Sequence, residues 1–320
     1  MRSVTAFAPA TVSNVACGFD VLGFALGSPG DEVTARFIEG DAVRIDDITG
    51  DEGRLPRDAT RNTAGIAAQT LLITLGERRG VALTIRKGLP LSSGLGGSAA
   101  SAVAAVVAVD GLFDANTPRD RLLACAFEGE RVGAGSAHGD NIAPCLYGGF
   151  VLVRCANPPD IVPLPVPDGL VAVVVHPHLE IETAHARALL GDSVRLSDAI
   201  QQWANLGAFV DALHRADFGL LARSLEDRIA EPKRASLVPG FDAIKAAAAA
   251  AGALGCSLSG SGPSMFALCR GADQARSVAA AMTEAVTRAV GSAPETYVSP
   301  IVAHGAHVLS AGPEGPALQV

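Results

Sequence analysis

Aromatic side chains make up only 4% of the 320 residues, so the core has to be assembled from small aliphatic groups that bring helices close to sheets. Positive charge is also in deficit. The 25 Lys and Arg are outnumbered by 33 Asp and Glu, giving a net charge of −8, and such a surface has no general attraction for phosphate backbones or anionic lipids. Nucleic acid and membranes are therefore not expected as partners. The six cysteines, at positions 17, 125, 145, 155, 256 and 269, contain no C-x-x-C pair and are too sparse for a disulfide scaffold. They are expected to act as small buried hydrophobes in a reducing, cytoplasmic compartment. No apolar run is long enough to cross a bilayer; the longest apolar helix, around residues 99–109, suits a buried core. The N-terminus has one early Arg2 and no continuous apolar segment before Pro9, so no signal peptide is expected.

What is present is a globular pattern: 49% hydrophobic and 18% charged residues exclude general disorder. Extended segments are expected at 4–8, 20–26 and 32–38, followed by a polar excursion over 41–61. Apolar spacing predicts a helix over 62–75, and Val81, Leu83 and Ile85 alternate with Ala82, Thr84 and Arg86 as in a strand. A Gly/Ser segment then leads into an almost pure Ala/Val helix over 99–112. Another helix is expected over 118–133, then a turn containing His138, Asp140 and Asn141, and a strand over 150–155. The Pro-rich stretch 157–168 reads as a linker, dividing the chain into domains 1–160 and 161–320. The second half reads as strands at 170–176, 255–258, 264–269 and 296–301, with helices at 183–190, 196–216, 218–229, 241–251 and 272–290. Residues from 310 onward, rich in Gly, Pro and Ala, are expected to fray.

The motif richest in chemistry is Gly94-Leu-Gly-Gly-Ser98, between a strand and a helix. Glycines let backbone N–H groups turn toward an anion, and a helix N-terminus adds partial positive charge. Ser98 adds a hydroxyl for phosphate or a cation. The same pattern can serve as a tight turn. The loop has neither the Gly-Lys-Ser/Thr of a Walker sequence nor a G-x-G-x-x-G spacing, which excludes the two commonest nucleotide folds.

Three segments together carry a resemblance. Pro9-Ala-Thr-Val-Ser-Asn-Val-Ala-Cys-Gly-Phe-Asp20, Pro90-Leu-Ser-Ser-Gly-Leu-Gly-Gly-Ser-Ala-Ala-Ser101 and Gly252-Ala-Leu-Gly-Cys-Ser-Leu-Ser-Gly-Ser-Gly-Pro263 resemble the three motifs of the GHMP kinases, in the same order. Within that superfamily the stretch 128–144, the pair Thr183 and Arg187, and the segment 231–241 resemble the homoserine kinases. The chain departs from their usual pattern at Val15-Ala-Cys17, at Gly139 and at Leu190-Gly-Asp192, none of which removes a charged group. The resemblance implies an α+β two-domain fold: an N-terminal domain like domain 2 of ribosomal protein S5, and a ferredoxin-like C-terminal domain. It also implies ATP and Mg2+ as cofactors, L-homoserine as substrate in threonine biosynthesis, and, as is common among relatives, a homodimer.

Carried over residue by residue, Pro90, Leu91, Ser92, Ser93, Gly94, Leu95, Gly96, Gly97, Ser98, Ala99 and Ser101 would form the nucleotide loop, with Asn62 at the adenine or, equally simply, at a helix N-cap. Ser98 and Glu130 would hold the metal, since magnesium takes few protein oxygens besides phosphate and water. Asn141 would contact the attacking hydroxyl, with His138 beside it. Asp140 is either a general base or a cap for backbone N–H groups, while the family is thought to need no committed base. Arg187 and Arg234 would clamp a carboxylate, Asp20 and Asn14 would receive an ammonium, and Thr183 and Gly260 would line the same pocket. The competing readings are another GHMP kinase acting on a related alcohol, and a non-catalytic member that binds nucleotide or metabolite.

Overall fold

The computed structural model describes residues 2–133 and 137–313. The first half contains β1 (Arg2–Ser13), β2 (Leu22–Ile38), β3 (Val43–Thr49), α1 (Thr63–Leu75), β4 (Gly80–Arg86), α2 (Gly97–Phe113), α3 (Arg119–Gly133), α4 (Gly139–Tyr147), β5 (Phe150–Ala156) and β6 (Pro159–Leu164). The second half contains β7 (Leu170–His176), α5 (Thr183–Ala188), α6 (Leu196–Arg215), α7 (Phe218–Ser224), α8 (Glu231–Arg234), α9 (Phe241–Ala250), β8 (Gly255–Leu258), β9 (Met265–Arg270), α10 (Ala272–Val290), β10 (Glu295–Pro300) and β11 (His307–Pro313).

Two sheets organise these elements. The larger runs β11-β1-β2-β4-β3, with β5 and β6 continuing from the N-terminal part of β2; only the β3–β4 pair is parallel. The smaller is fully antiparallel in the order β10-β7-β9-β8. Numbered by appearance, that is fourth-first-third-second, the ferredoxin-like order. Its helices α9 and α10 cover one face through Ile244, Val278, Met282 and Val286, spaced to fall on one side of each helix.

α2 is the element that the aromatic-poor composition makes possible. Ala99, Ala100, Ala102, Val103, Ala104 and Ala105 are all fully buried, so the helix runs between the larger sheet and its neighbours α1 and α3. Few aromatics remain to join the halves, and four of them do so. Phe24 of β2 meets Phe150 of β5 at 5.0 Å and Phe266 of β9 at 6.0 Å, while Phe150 meets Phe209 of α6 at 5.6 Å.

The two-sheet architecture agrees with the sequence expectation, but several boundaries do not. The segments 20–26 and 32–38 fall in one strand, β2, which begins at Leu22 and whose pairing with β1 shifts register between Pro9 and Thr11. The polar excursion 41–61 contains β3, whose Ile45 and Ile48 are buried. Asp140 and Asn141 stand in the first turn of α4 rather than in a turn. The linker 157–168 contains β6, so a division at 160 would cut a strand of the larger sheet. Residues 310–313, expected to fray, instead belong to β11, which pairs with β1 in the N-terminal sheet; the rest of that stretch, 314–320, lies outside the described residues. The expected helix 218–229 stops at Ser224, and the short α8 follows. Part of the turn ahead of His138, including Gly135 and Ser136, lies outside the described residues.

Candidate active site

The glycine loop wraps onto the N-terminus of α2 and is held by both halves of the chain. Thr11 N–H donates to the Leu95 carbonyl at 3.1 Å, Ser259 Oγ to the Gly94 carbonyl at 2.7 Å, and Ser264 N–H to the Ser93 carbonyl at 3.3 Å. Two glycines are required by geometry. At Gly94 (φ +77°) a Cβ would lie 2.4 Å from the Ser259 carbonyl oxygen, and at Gly96 (φ +70°) it would lie 2.2 Å from Thr11 Oγ1. Gly96 caps α2 without any side-chain hydrogen bond, leaving the first N–H groups of a 17-residue helix for an anion. Within the loop, Pro90, Leu91, Gly96 and Gly97 are half-buried, Ser92 and Ser98 are exposed, and Ala99 and Ser101 are buried.

Beneath the loop lies a network centred on Lys87, which sequence reasoning left unassigned, and joined by Ser101, which was expected at the nucleotide but turns its hydroxyl to Lys87 and Asp31. Lys87 is buried and ion-paired with Asp31; it also donates to the Gly97 carbonyl at 2.7 Å and to Ser101 Oγ at 2.9 Å. Ser101 Oγ donates to Asp31 Oδ2 at 2.7 Å, and Gly88 N–H to Asp31 Oδ1 at 3.0 Å. All three ammonium hydrogens are therefore used inside the protein. Lys87 supports the loop from below and does not reach into the cleft. Sequence alone offered no signal that Asp31 would be its partner.

Ser98 Oγ donates to Glu130 Oε1 at 2.6 Å, so the two expected metal ligands meet. Glu130 is buried, and burial pushes its carboxyl up to about 7 against the pull of Ser98 and Lys87. Its Oε2 is buried with no hydrogen-bond partner among the described residues. An orphaned, desolvated carboxylate oxygen beside a hydroxyl and a helix N-terminus is a donor set that fits Mg2+, which takes the rest of its shell from phosphate and water.

A continuous run of polar contacts leads from the loop to the second half. Asn141 Oδ1 accepts from Thr11 Oγ1 at 2.8 Å, and its Nδ2 donates to Ser13 Oγ at 3.1 Å. The loop from Asn14 to Asp20 follows, with positive φ at Asn14, Val15, Ala16 and Asp20. Asp140 accepts the Asn14 N–H at 3.2 Å, while Asn14 Oδ1 accepts from Asp20 N–H and Asn14 Nδ2 donates to the Gly260 carbonyl. Asn14 is thus a brace of the loop, with both ends of its amide engaged. Asp140 is fully enclosed; burial, reinforced by Asp20, pushes its carboxyl up to about 7. Gln202 of α6, missed in the sequence, donates to the Ala16 and Cys17 carbonyls at 3.4 and 3.1 Å and accepts from Arg228 N–H at 2.7 Å.

The two arginines converge on this loop. Arg187 of α5 is ion-paired to Asp20 at 2.6 Å. Arg234 of α8 is buried and donates to the Ala186 carbonyl at 3.1 Å and the Gly260 carbonyl at 3.2 Å. α8 is anchored by Glu231, which accepts from Ser257 Oγ at 2.5 Å and pairs with Lys245. His138 is half-buried; burial lowers its pKa, and Asp20, Arg187 and Arg234 all contribute to its electrostatic surroundings. Thr183 sits exposed at the start of α5, one turn before Arg187. Asn62 caps α1, accepting from Ala64 N–H at 3.0 Å and donating to the Pro56 carbonyl at 2.9 Å.

Comparison with known proteins decides the family. The GHMP kinase N-terminal domain model matches residues 62–149, and the GHMP kinase C-terminal model matches 209–288. Homoserine kinase of Chlorobaculum tepidum is 46% identical, over 97% of this chain and 99% of its own length. The chain belongs to the homoserine kinase family of GHMP kinases. The Chloroherpeton thalassium homoserine kinase is 44% identical over 97% of this chain and all of its own. A crystal structure of homoserine kinase from Cytophaga hutchinsonii superposes with a TM-score of 0.93 at 50% identity, covering 96% of this chain and 97% of that one.

Proposed function

We propose that this protein transfers the γ-phosphoryl group of ATP to the side-chain hydroxyl of L-homoserine, giving ADP and O-phospho-L-homoserine. Family membership supports the kinase activity. The observation that carries the amino-acid substrate is the convergence of Arg187, Arg234 and Asp20 at the far end of a cleft whose near end is the glycine loop. Two guanidiniums match a carboxylate and one carboxylate matches an ammonium, so the arrangement complements a zwitterion.

In this reading the free N–H groups at the start of α2 receive the phosphates, and Ser98 and Glu130 hold Mg2+, which supplies charge neutralisation during transfer. Asn141, oriented by Thr11 at its Oδ1 and by Ser13 at its Nδ2, keeps its second amide hydrogen to position the acceptor hydroxyl. Asp140 is enclosed and holds its proton up to about pH 7. Its part is to fasten the loop that carries Asp20, and no dedicated base is needed for a transfer that depends on positioning and charge. The Arg187–Asp20 ion pair opens on binding, each partner exchanging the other for the matching group of the substrate.

The test is ADP release with L-homoserine, L-serine, mevalonate, shikimate and galactose, with and without Mg2+. Turnover is expected with homoserine alone and only with Mg2+. Arg234→Ala is expected to raise the homoserine KM by roughly a hundredfold, consistent with loss of a buried charged hydrogen-bonding group. Turnover of another alcohol in preference to homoserine would retire the substrate while keeping the kinase; ATP binding without any turnover would retire both.

A further inference from the structure

The two arginines share a third neighbour that is neither an acid nor a carbonyl. Phe19 is half-buried in the strained loop, next to Asp20, and its ring lies 5.5 Å from the Arg187 guanidinium carbon and 5.3 Å from that of Arg234. Both separations fall within cation–π range. The arginines come from different short helices, α5 and α8, and carry like charges that oppose their approach. Asp20 compensates Arg187 directly, but among the described residues Arg234 has no carboxylate at ion-pairing distance and donates instead to two carbonyls. Asp20 acts on Arg234 only through its charge, whereas the ring of Phe19 lies within cation–π reach of both guanidiniums. The ring is itself held in place: its loop is fastened by Asn14 to Asp140 and Gly260, and by Gln202 to α6.

We propose that Phe19 is a positioning residue that sets specificity for the substrate carboxylate, its ring holding Arg187 and Arg234 convergent so that one carboxylate meets both. A leucine in its place would fill much of the volume but offer no π face, letting the guanidiniums separate. The inference rests on the reading of the two arginines as a carboxylate clamp.

The experiment measures KM for homoserine and for ATP, together with kcat, in Phe19→Leu, Phe19→Tyr, Arg234→Ala and the Phe19→Leu/Arg234→Ala double variant, with thermal melts to establish folding. Phe19→Met substitutes for the leucine variant if the latter folds poorly. Phe19→Leu is expected to raise the homoserine KM roughly tenfold with ATP KM and kcat changed less than about twofold. Phe19→Tyr, which keeps the ring, should restore the wild-type KM. In the Arg234→Ala background the leucine substitution should have a distinctly smaller effect, because one of its two targets is gone. Equal defects in the tyrosine and leucine variants, full additivity with Arg234→Ala, or parallel loss of ATP affinity would each overturn the assignment. An unchanged homoserine KM in Arg234→Ala alone would instead overturn the clamp, so the two failures are distinct.

Discussion

The two ends of the cleft solve the problem of holding charge in opposite ways. Beneath the phosphate loop, charge is buried and internally satisfied: Lys87, Asp31 and Ser101 use one another, the Gly97 carbonyl and the Gly88 N–H. The loop above them is shaped by backbone contacts so close that Gly94 and Gly96 admit no side chain. At the amino-acid end, the Arg187–Asp20 pair leaves half of the arginine and a third of the aspartate side chain exposed to water. A buried network holds one geometry because any lost partner leaves an uncompensated charge. An exposed pair is held weakly and can exchange partners with a ligand. The support of the loop is thus built to be rigid, the Arg187–Asp20 pair to be opened.

Three substitutions would break or sharpen this contrast. The largest effect on stability is expected from Lys87→Met, which strands the buried Asp31 carboxylate and should cost about 3–5 kcal/mol in chemical denaturation. A loss under 1 kcal/mol would mean that the network is not a rigid support.

The next concerns Glu130. Its carboxyl is raised from the ordinary 4.5 to about 7 by burial, so the folded protein holds the proton more tightly than the unfolded chain. Its contribution to stability therefore falls as pH rises from 4.5 to 7, by about 3 kcal/mol in all without metal. Glu130→Gln should remove that share of the slope in urea titrations across this window and abolish Mg2+-dependent turnover. Asp140 titrates over a similar range, so the difference between the two curves, rather than either alone, isolates Glu130. Identical slopes would show that Glu130 is solvated.

The smallest effect on stability is expected from Asp20→Asn, which removes an exposed ion pair and should cost within about 1 kcal/mol. Its functional effect should be large by comparison, with the homoserine KM rising more than tenfold as the ammonium loses its partner. A large loss of stability with unchanged KM would reverse the contrast between the two ends.

How much of this was legible beforehand differed by residue. Ser98 and Glu130, 32 positions apart, were paired by the family resemblance, and the structure brings them within a hydrogen bond. The resemblance also sets Arg187 and Arg234 at one substrate carboxylate, and the structure brings both side chains to one loop. Lys87, Phe19 and Gln202 escaped because their significance lies in what they touch: Asp31 is 56 residues from Lys87, and Ala16 is 186 from Gln202. Asn14 was expected at the ammonium, yet its amide is engaged by Asp20 and Gly260, contacts that only the closed loop creates. α8 spans four residues, too few to show a helical period.

By itself the sequence determined what is local or periodic: the Ala/Val helix, the alternating strand before it, the glycine loop between them, and, through three ordered motifs, the family and its two domains. Local periodicity suffices for these because each element's apolar pattern states which face it buries. Tertiary structure alone decided where β11 and β6 pair, which buried charge answers which, and how far Arg187 stays open to water. Strand pairing, ion pairing and desolvation depend on residues distant in the chain, and their energies exist only once the fold has brought those residues together.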